Sequence, residues 1–215
     1  MNIRKKLILS ALSLCFSPLL LAQGLQGDQI QSPSPGAPYR EVSPMNNSES
    51  IKVIAVINFS CQVCAQSHAS LAAWGKSLPS PIVFTIEPAV TDYGTALLSA
   101  VYYATVKDEP EKADRLAASF YRTIQDRGLK PTTPEFWKSV EGDVGKIATV
   151  KPNEKQFIIK QLDVNRQHIK AYNLDATPSL IIGGRYVITP ENTQGDQSMF
   201  LELANGLVSK VILSN

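Results

Sequence analysis

The run Lys52-Val-Ile-Ala-Val-Ile-Asn-Phe59 leads directly into Ser60-Cys61-Gln-Val-Cys64 and then into Ala65 to Lys76. Its first part is a short, continuous apolar stretch dominated by β-branched residues, the pattern of a buried central strand. Its last part is rich in helix formers and carries Leu71 and Trp74 on an apolar side. Two cysteines separated by two residues therefore sit at a strand-to-helix junction. Ser60 or Cys61 is expected at the helix cap, where unpaired N–H groups and the positive end of the helix dipole favour a thiolate on Cys61. Cys64, about one turn further in, is predicted to be less exposed. Cys61 is then the sulfur that attacks or is attacked, and Cys64 the one that resolves a mixed disulfide.

The pair cannot act as a staple between distant segments. A structural disulfide stabilises mainly by closing a long loop in the unfolded chain, and a ring this small closes almost none. The third cysteine, Cys15, belongs to a different feature. Met-Asn-Ile-Arg-Lys-Lys opens the chain, and an apolar run from Leu7 to Ala22 follows it, interrupted by Pro18. Charge followed by a run just too short to span a bilayer is the layout of a secretory signal, predicted here to be cleaved after Ala22. Residues 1–22 are thus expected to be a signal peptide and 23–50, rich in Gln, Ser, Pro and Gly, a flexible linker. Residues 51–215 form the domain, and the signal sends it to the periplasm.

Composition agrees with one folded domain: of 215 residues, 44% are apolar and 19% charged, which excludes a wholly disordered chain. Without Arg4, Lys5 and Lys6, the 21 basic residues become 18 against 19 acidic ones, a balance of −1. No basic footprint for nucleic acid is left.

Near the other end, Ala176-Thr177-Pro178 precedes Ser179-Leu-Ile-Ile182, then Gly183-Gly184, then Arg185-Tyr-Val-Ile188. Two apolar runs joined by Gly-Gly predict a hairpin, since two-residue turns need a positive φ that glycine adopts without strain. Pro178 must start its strand or lie at an edge, where its missing N–H does no harm. Between the two motifs, Pro81 to Glu87 reads as another strand. Helical patterns then fill about 91–174: one helix opens at Pro110 and ends at Gly128, another opens at Pro134, and a longer one runs from about Asn153 to Tyr172. A last helix carries Met199, Leu203, Leu207 and Val211 as one stripe, predicted to cover the sheet.

Taken together, Phe59-Ser-Cys61-Gln-Val-Cys64 with His68, and Ala176-Thr177-Pro178-Ser-Leu-Ile-Ile-Gly-Gly-Arg-Tyr, resemble the DsbA-like disulfide oxidoreductases of the thioredoxin superfamily. The resemblance covers roughly residues 51 to 215. It implies an α/β thioredoxin fold with a helical insertion at about 91–174, and catalysis by Cys61 and Cys64. It further implies a cis-proline at Pro178 packed against the cysteines, with the Thr177 backbone offered to a substrate strand. Implied partners are cysteine-containing exported proteins and a membrane or soluble redox partner; a monomer is expected, with no cofactor. The acid that many thioredoxin-like proteins carry six residues before the first cysteine is replaced by Ala55, with Asn58 and Glu87 as substitutes for moving protons.

His68, four residues beyond Cys64 on the same helix face, is a candidate for tuning the thiols. Cys61, Cys64 and His68 would supply three ligands of a tetrahedral zinc site, but His168 is the only other histidine and is distant in sequence; no metal is expected. The plainer reading of His68 is a half-buried helix residue hydrogen-bonded by chance. Electron flow is open at this level: a disulfide donor ranks first, a reductase or isomerase of the same fold second. A metal-carrying or redox-inert chaperone module is the rival from another class.

Overall fold

The structure, a computed structural model, describes residues 37–214. The expected signal segment and the first part of the expected linker lie outside the described residues. A five-stranded mixed sheet forms the centre: β1 (Arg40–Glu41), β2 (Lys52–Ile57), β3 (Val83–Pro88), β4 (Ser179–Ile182) and β5 (Tyr186–Ile188), in the order β1-β5-β4-β2-β3. Only β2 and β3 run parallel, with Ala55 opposite Ile86 and Val56 opposite Glu87; the β4–β5 hairpin packs antiparallel on the other side of β2. Gly183 and Gly184 both take positive φ, 62° and 63°, but Ile182 pairs with Tyr186, so Arg185 joins them in a three-residue connection in place of the expected two-residue turn.

Strand β2 is covered on both faces, which is why its sequence does not alternate. Val53 and Ala55 share one cluster with Leu71 and Trp74 of α1 (Gln62–Lys76) and with Phe200, Ala204, Leu207, Val208 and Val211 of α6 (Gln197–Ser214). Ile54 and Val56 share another with Ile181, Val187, Tyr172 and Ile169. The expected stripe on α6 therefore holds for three of its four residues, Leu203 packing partly buried against the same cluster. Leu207 and Val211 are buried, but Met199 is 55% exposed, and Phe200 and Ala204 are buried in its place. So many α6 positions are apolar that spacing alone did not select a face.

Four helices lie between β3 and β4: α2 (Tyr93–Asp108), α3 (Ala113–Gln125), α4 (Pro134–Val144) and α5 (Lys155–Ala171). They enclose a second core around Phe59, Tyr102, Phe120 and Phe136. Thr133 caps α4 and Pro134 occupies its first turn, where a missing N–H costs nothing.

The linker expectation over 23–50 needs correction for its described part. Residues 40 and 41 pair with Val187 and Tyr186 as an edge strand, Asn46 caps a short 3-10 helix at Asn47–Ile51, and Glu49 is buried. The anchors are Tyr172 and His168, over a hundred residues away.

One packing constraint gives a direct expectation. Gly75 on α1 faces the Phe84 ring so closely that an added Cβ would overlap it. Gly75→Ala should cost about 1–3 kcal/mol, against which alanine's better helix propensity returns at most about 1 kcal/mol. Thermal unfolding of the variant should show a lower midpoint.

Candidate active site

The chain turns from β2 into α1 through Asn58-Phe59-Ser60, and each residue of the turn is held. The Asn58 carboxamide oxygen accepts from Ser60 N at 2.8 Å, and its carbonyl accepts from Cys61 N at 2.9 Å. Phe59 is buried against Phe120 and Tyr121. Gln125, at the end of α3, donates its Nε2 to the carbonyls of Phe59 at 3.0 Å and Cys61 at 3.1 Å. Gln125 thus ties the inserted helices to the dithiol turn. No sequence signal marked it, because a glutamine at a helix end is ordinary until the carbonyls it meets are known.

Cys61 is the N-cap of α1, and its Sγ accepts from Cys64 N at 3.2 Å. It is partly exposed, next to exposed Gln62 and Val63, whereas Cys64 is 1% exposed. Both sulfurs are free thiols in this structure. The Cys64 thiol donates to the Cys61 sulfur, and the backbone amides of Cys64 and Val63 add to it, so that Cys61 falls to about 5 despite partial burial. The same hydrogen bond, together with burial, pushes Cys64 far above the ordinary thiol range. At neutral pH one sulfur is a reachable thiolate and the other a buried thiol.

The second motif arrives from β4. The Thr177–Pro178 peptide is cis, Pro178 is buried, and the Thr177 carbonyl lies 3.1 Å from Cys61 Sγ. Ser179 Oγ donates to the Ala176 carbonyl at 2.6 Å and fixes the turn. Residues 116 positions apart in the chain are thereby brought to one surface. The half-exposed Thr177 backbone stands beside the half-exposed sulfur.

His68 stands apart from this surface. It is buried on α1, 3.8 Å from Asp114 Oδ1, and neither ring nitrogen has a hydrogen bond, contrary to the expectation of a half-buried, hydrogen-bonded residue. Burial holds it below the usual imidazole value. Glu87 does not serve the thiols either: its carboxylate meets His168 Nδ1 at 2.7 Å on the far side of β3. Among the described residues, no group of three or more His, Cys, Asp and Glu side chains is placed to hold a metal ion.

A capped, low-pKa thiol, a buried second thiol one turn away and a cis-proline turn beside them, all on a strand–helix framework around one mixed sheet, define a thioredoxin-fold thiol:disulfide oxidoreductase. The thioredoxin family profile matches residues 46–202, and the chain belongs to that family. Its sequence is similar to the thiol:disulfide interchange protein DsbA of Bordetella parapertussis, with 23% identity covering 91% of this chain and 97% of that one. The Azotobacter vinelandii protein of the same name is 26% identical, covering 88% and 92%. Among solved structures, DsbA of Pseudomonas aeruginosa superposes with a TM-score of 0.66 at 19% identity, over 82% of this chain and 93% of that one. The DsbA oxidoreductase of Xylella fastidiosa gives 0.60 at 23% identity, over 80% and 94%.

Proposed function

We propose that the chain is an exported donor of disulfides that works in the periplasm. Oxidised Cys61–Cys64 accepts a substrate thiolate at Cys61, forming a mixed disulfide and releasing Cys64. A second substrate thiolate then displaces Cys61, and the substrate leaves oxidised while the dithiol stays reduced. The observation that carries this reading is the 3.1 Å approach of the Thr177 carbonyl to a partly exposed Cys61 Sγ whose thiolate is favoured. A substrate strand laid along Thr177 beside Pro178 can hydrogen-bond to that backbone while its cysteine meets the sulfur.

The direction of flow follows from the thiolate. Whatever lowers the Cys61 pKa stabilises the reduced form and makes the disulfide more oxidising. The DsbA relatives support the same assignment. Substrates are cysteine-containing exported proteins, a redox partner reoxidises the dithiol, residues 1–22 are the cleaved leader, and the chain acts as a monomer.

The test is to incubate the purified, oxidised protein with a reduced two-cysteine peptide and to measure the Cys61–Cys64 couple against glutathione. Stoichiometric peptide oxidation and a couple more oxidising than glutathione are expected. A couple well below glutathione would make the protein a reductant and overturn the donor assignment.

A further inference from the structure

Behind the redox helix, α1 and α3 enclose a cavity of about 540 Å³ that opens to solvent. Its α1 wall is built largely of alanines, so space is left between the two helices. Two polar side chains on it are deeply buried and unsatisfied: His68, 5% exposed, and Tyr121, 4% exposed. Neither nitrogen of His68 nor the Tyr121 hydroxyl has a hydrogen-bond partner, and the two rings meet edge to face with centroids 5.5 Å apart. Buried polar groups in folded proteins are satisfied almost without exception, so two adjacent orphans mark a place where solvent or chemistry uses them. A cavity of this size, with donors and acceptors on its wall, has room for several waters.

The neighbour that needs such groups is Cys64. It lies four residues before His68, on the same face of α1, and packs in one cluster with Tyr121. When a substrate thiolate bonds to Cys61, the Cys61–Cys64 bond breaks and its electron pair leaves on Cys64 Sγ. That buried sulfur must then gain one proton. Ala55, in the strand beneath, has no proton to give, and Glu87 is engaged by His168 on the other face of the sheet.

We propose that His68 and Tyr121, reached by solvent through the cavity between α1 and α3, carry the proton that Cys64 takes up when the disulfide opens and gives back when it re-forms. The inference rests on the exchange reaction proposed above and assigns its proton path. Burial keeps the imidazole neutral at neutral pH, so one nitrogen accepts while the other donates. The Tyr121 hydroxyl is held far above its ordinary pKa, so it passes a proton without ionising. Asp114 at 3.8 Å, Arg122 and Asp126 from α3 and its C-terminal end, and Lys76 from α1 are the charged groups that line the cavity with the imidazole, and Cys64 lies one turn back on α1. Asp114 works against the burial and Lys76 with it. Both His68 and Tyr121 act on Cys64 through solvent and are positioning residues for the proton.

The experiment mixes oxidised protein with a peptide carrying one cysteine and follows the transient Cys64 thiolate by its ultraviolet absorbance across the neutral pH range. His68→Ala should lengthen the lifetime of that thiolate by about 10- to 100-fold. Added imidazole, small enough for the cavity, should restore the native lifetime at least in part. His68→Gln, similar in size but unable to titrate, should behave as His68→Ala does, and Tyr121→Phe should slow the step in a protein whose helix packing is intact. The titration midpoint of Cys61 should stay in place in all three. A native lifetime and pH profile in His68→Ala would overturn the proposal. So would a slowed step that imidazole leaves unchanged together with a displaced Cys61 midpoint, because that pattern means disturbed packing. Failure of the unmodified protein to form the mixed disulfide at all would instead strike the exchange reaction, independently of His68.

Discussion

Cys61→Ser and Cys64→Ala should each reduce peptide oxidation to the uncatalysed background, since either removes the disulfide that is the oxidant. Only Cys64→Ala should accumulate a mixed disulfide when it is given a peptide that already carries a disulfide. The difference follows from geometry. Position 61 is partly exposed beside the Thr177 carbonyl, and position 64 is buried one turn behind it. Without Cys61 no bond to the peptide forms; without Cys64 the Cys61 thiolate opens the peptide disulfide, one peptide thiolate leaves, and the protein has no second thiol to resolve the bond that forms. Gel analysis under non-reducing conditions separates the two outcomes. Equal accumulation of mixed disulfides in both variants would refute the division of roles. Cys64→Ala should also raise the Cys61 pKa from about 5 by at least one unit, because the Cys64 thiol supplies the largest contribution to lowering it.

The same thiolate links stability to pH. Its folded-state pKa is depressed, so its contribution is complete only above the unfolded value of 9.0, and it is lost as pH falls through about 5. At pH 7 it is worth about 2 kcal/mol after discounting for partial exposure, which makes the couple more oxidising by about 40 mV. The oxidised protein has no such group. Denaturant unfolding of the two redox forms should show a reduced-state advantage that shrinks towards pH 5.

His168→Ala should be the most damaging change away from the dithiol, costing about 3–5 kcal/mol. His168 is buried between two buried carboxylates, with Nδ1 2.7 Å from Glu87 and Nε2 3.4 Å from Glu49. Tyr172 hydroxyl donates to Glu49, whose other oxygen accepts from Asn46 Nδ2 at 3.0 Å. Removing the imidazole strands both carboxylates without their shared partner. Burial alone would lower the His168 pKa, but the Glu87 hydrogen bond and the charges of Glu87 and Glu49 outweigh it and raise the value above 6.5. A raised histidine contributes fully below its unfolded pKa and loses the contribution as pH rises through the folded one. Urea unfolding should therefore show stability declining as pH rises above 6.5, a decline that His168→Ala abolishes. Unchanged stability in that variant would mean that the cluster is not a charged network. His168→Ala combined with Glu87→Gln should lose less than the two single changes together, since the second removes the carboxylate that the first leaves unpaired.

The dithiol end of the site was legible because its determinants are local. An apolar β-branched run, a cap and a helix amphipathic enough to face the sheet specify a strand-to-helix turn within some twenty-five residues, and the cysteines ride on it. The hairpin was legible for the same reason, through two adjacent glycines at positive φ. The segment at 40–50 was misread because its composition is that of a linker, while its anchors, Tyr172, His168 and Val187, are remote. On α6, apolar residues on nearly every side left the buried face to be chosen by what it meets.

By itself, the sequence determined that a thiol at or beside the cap of a helix would follow a central strand, with a second thiol one turn in, and that a proline would open a second strand elsewhere in the chain. Spacing and backbone preference act over one or two turns, and such features are written in neighbouring residues. Only the tertiary structure decided that Thr177 would lie 3.1 Å from Cys61, that Gln125 would clamp the turn, and that His68 and Tyr121 would share a cavity behind Cys64. Those contacts join elements whose order along the chain says nothing about distance, and they exist because both faces of one sheet and one interhelical core had to be filled at once.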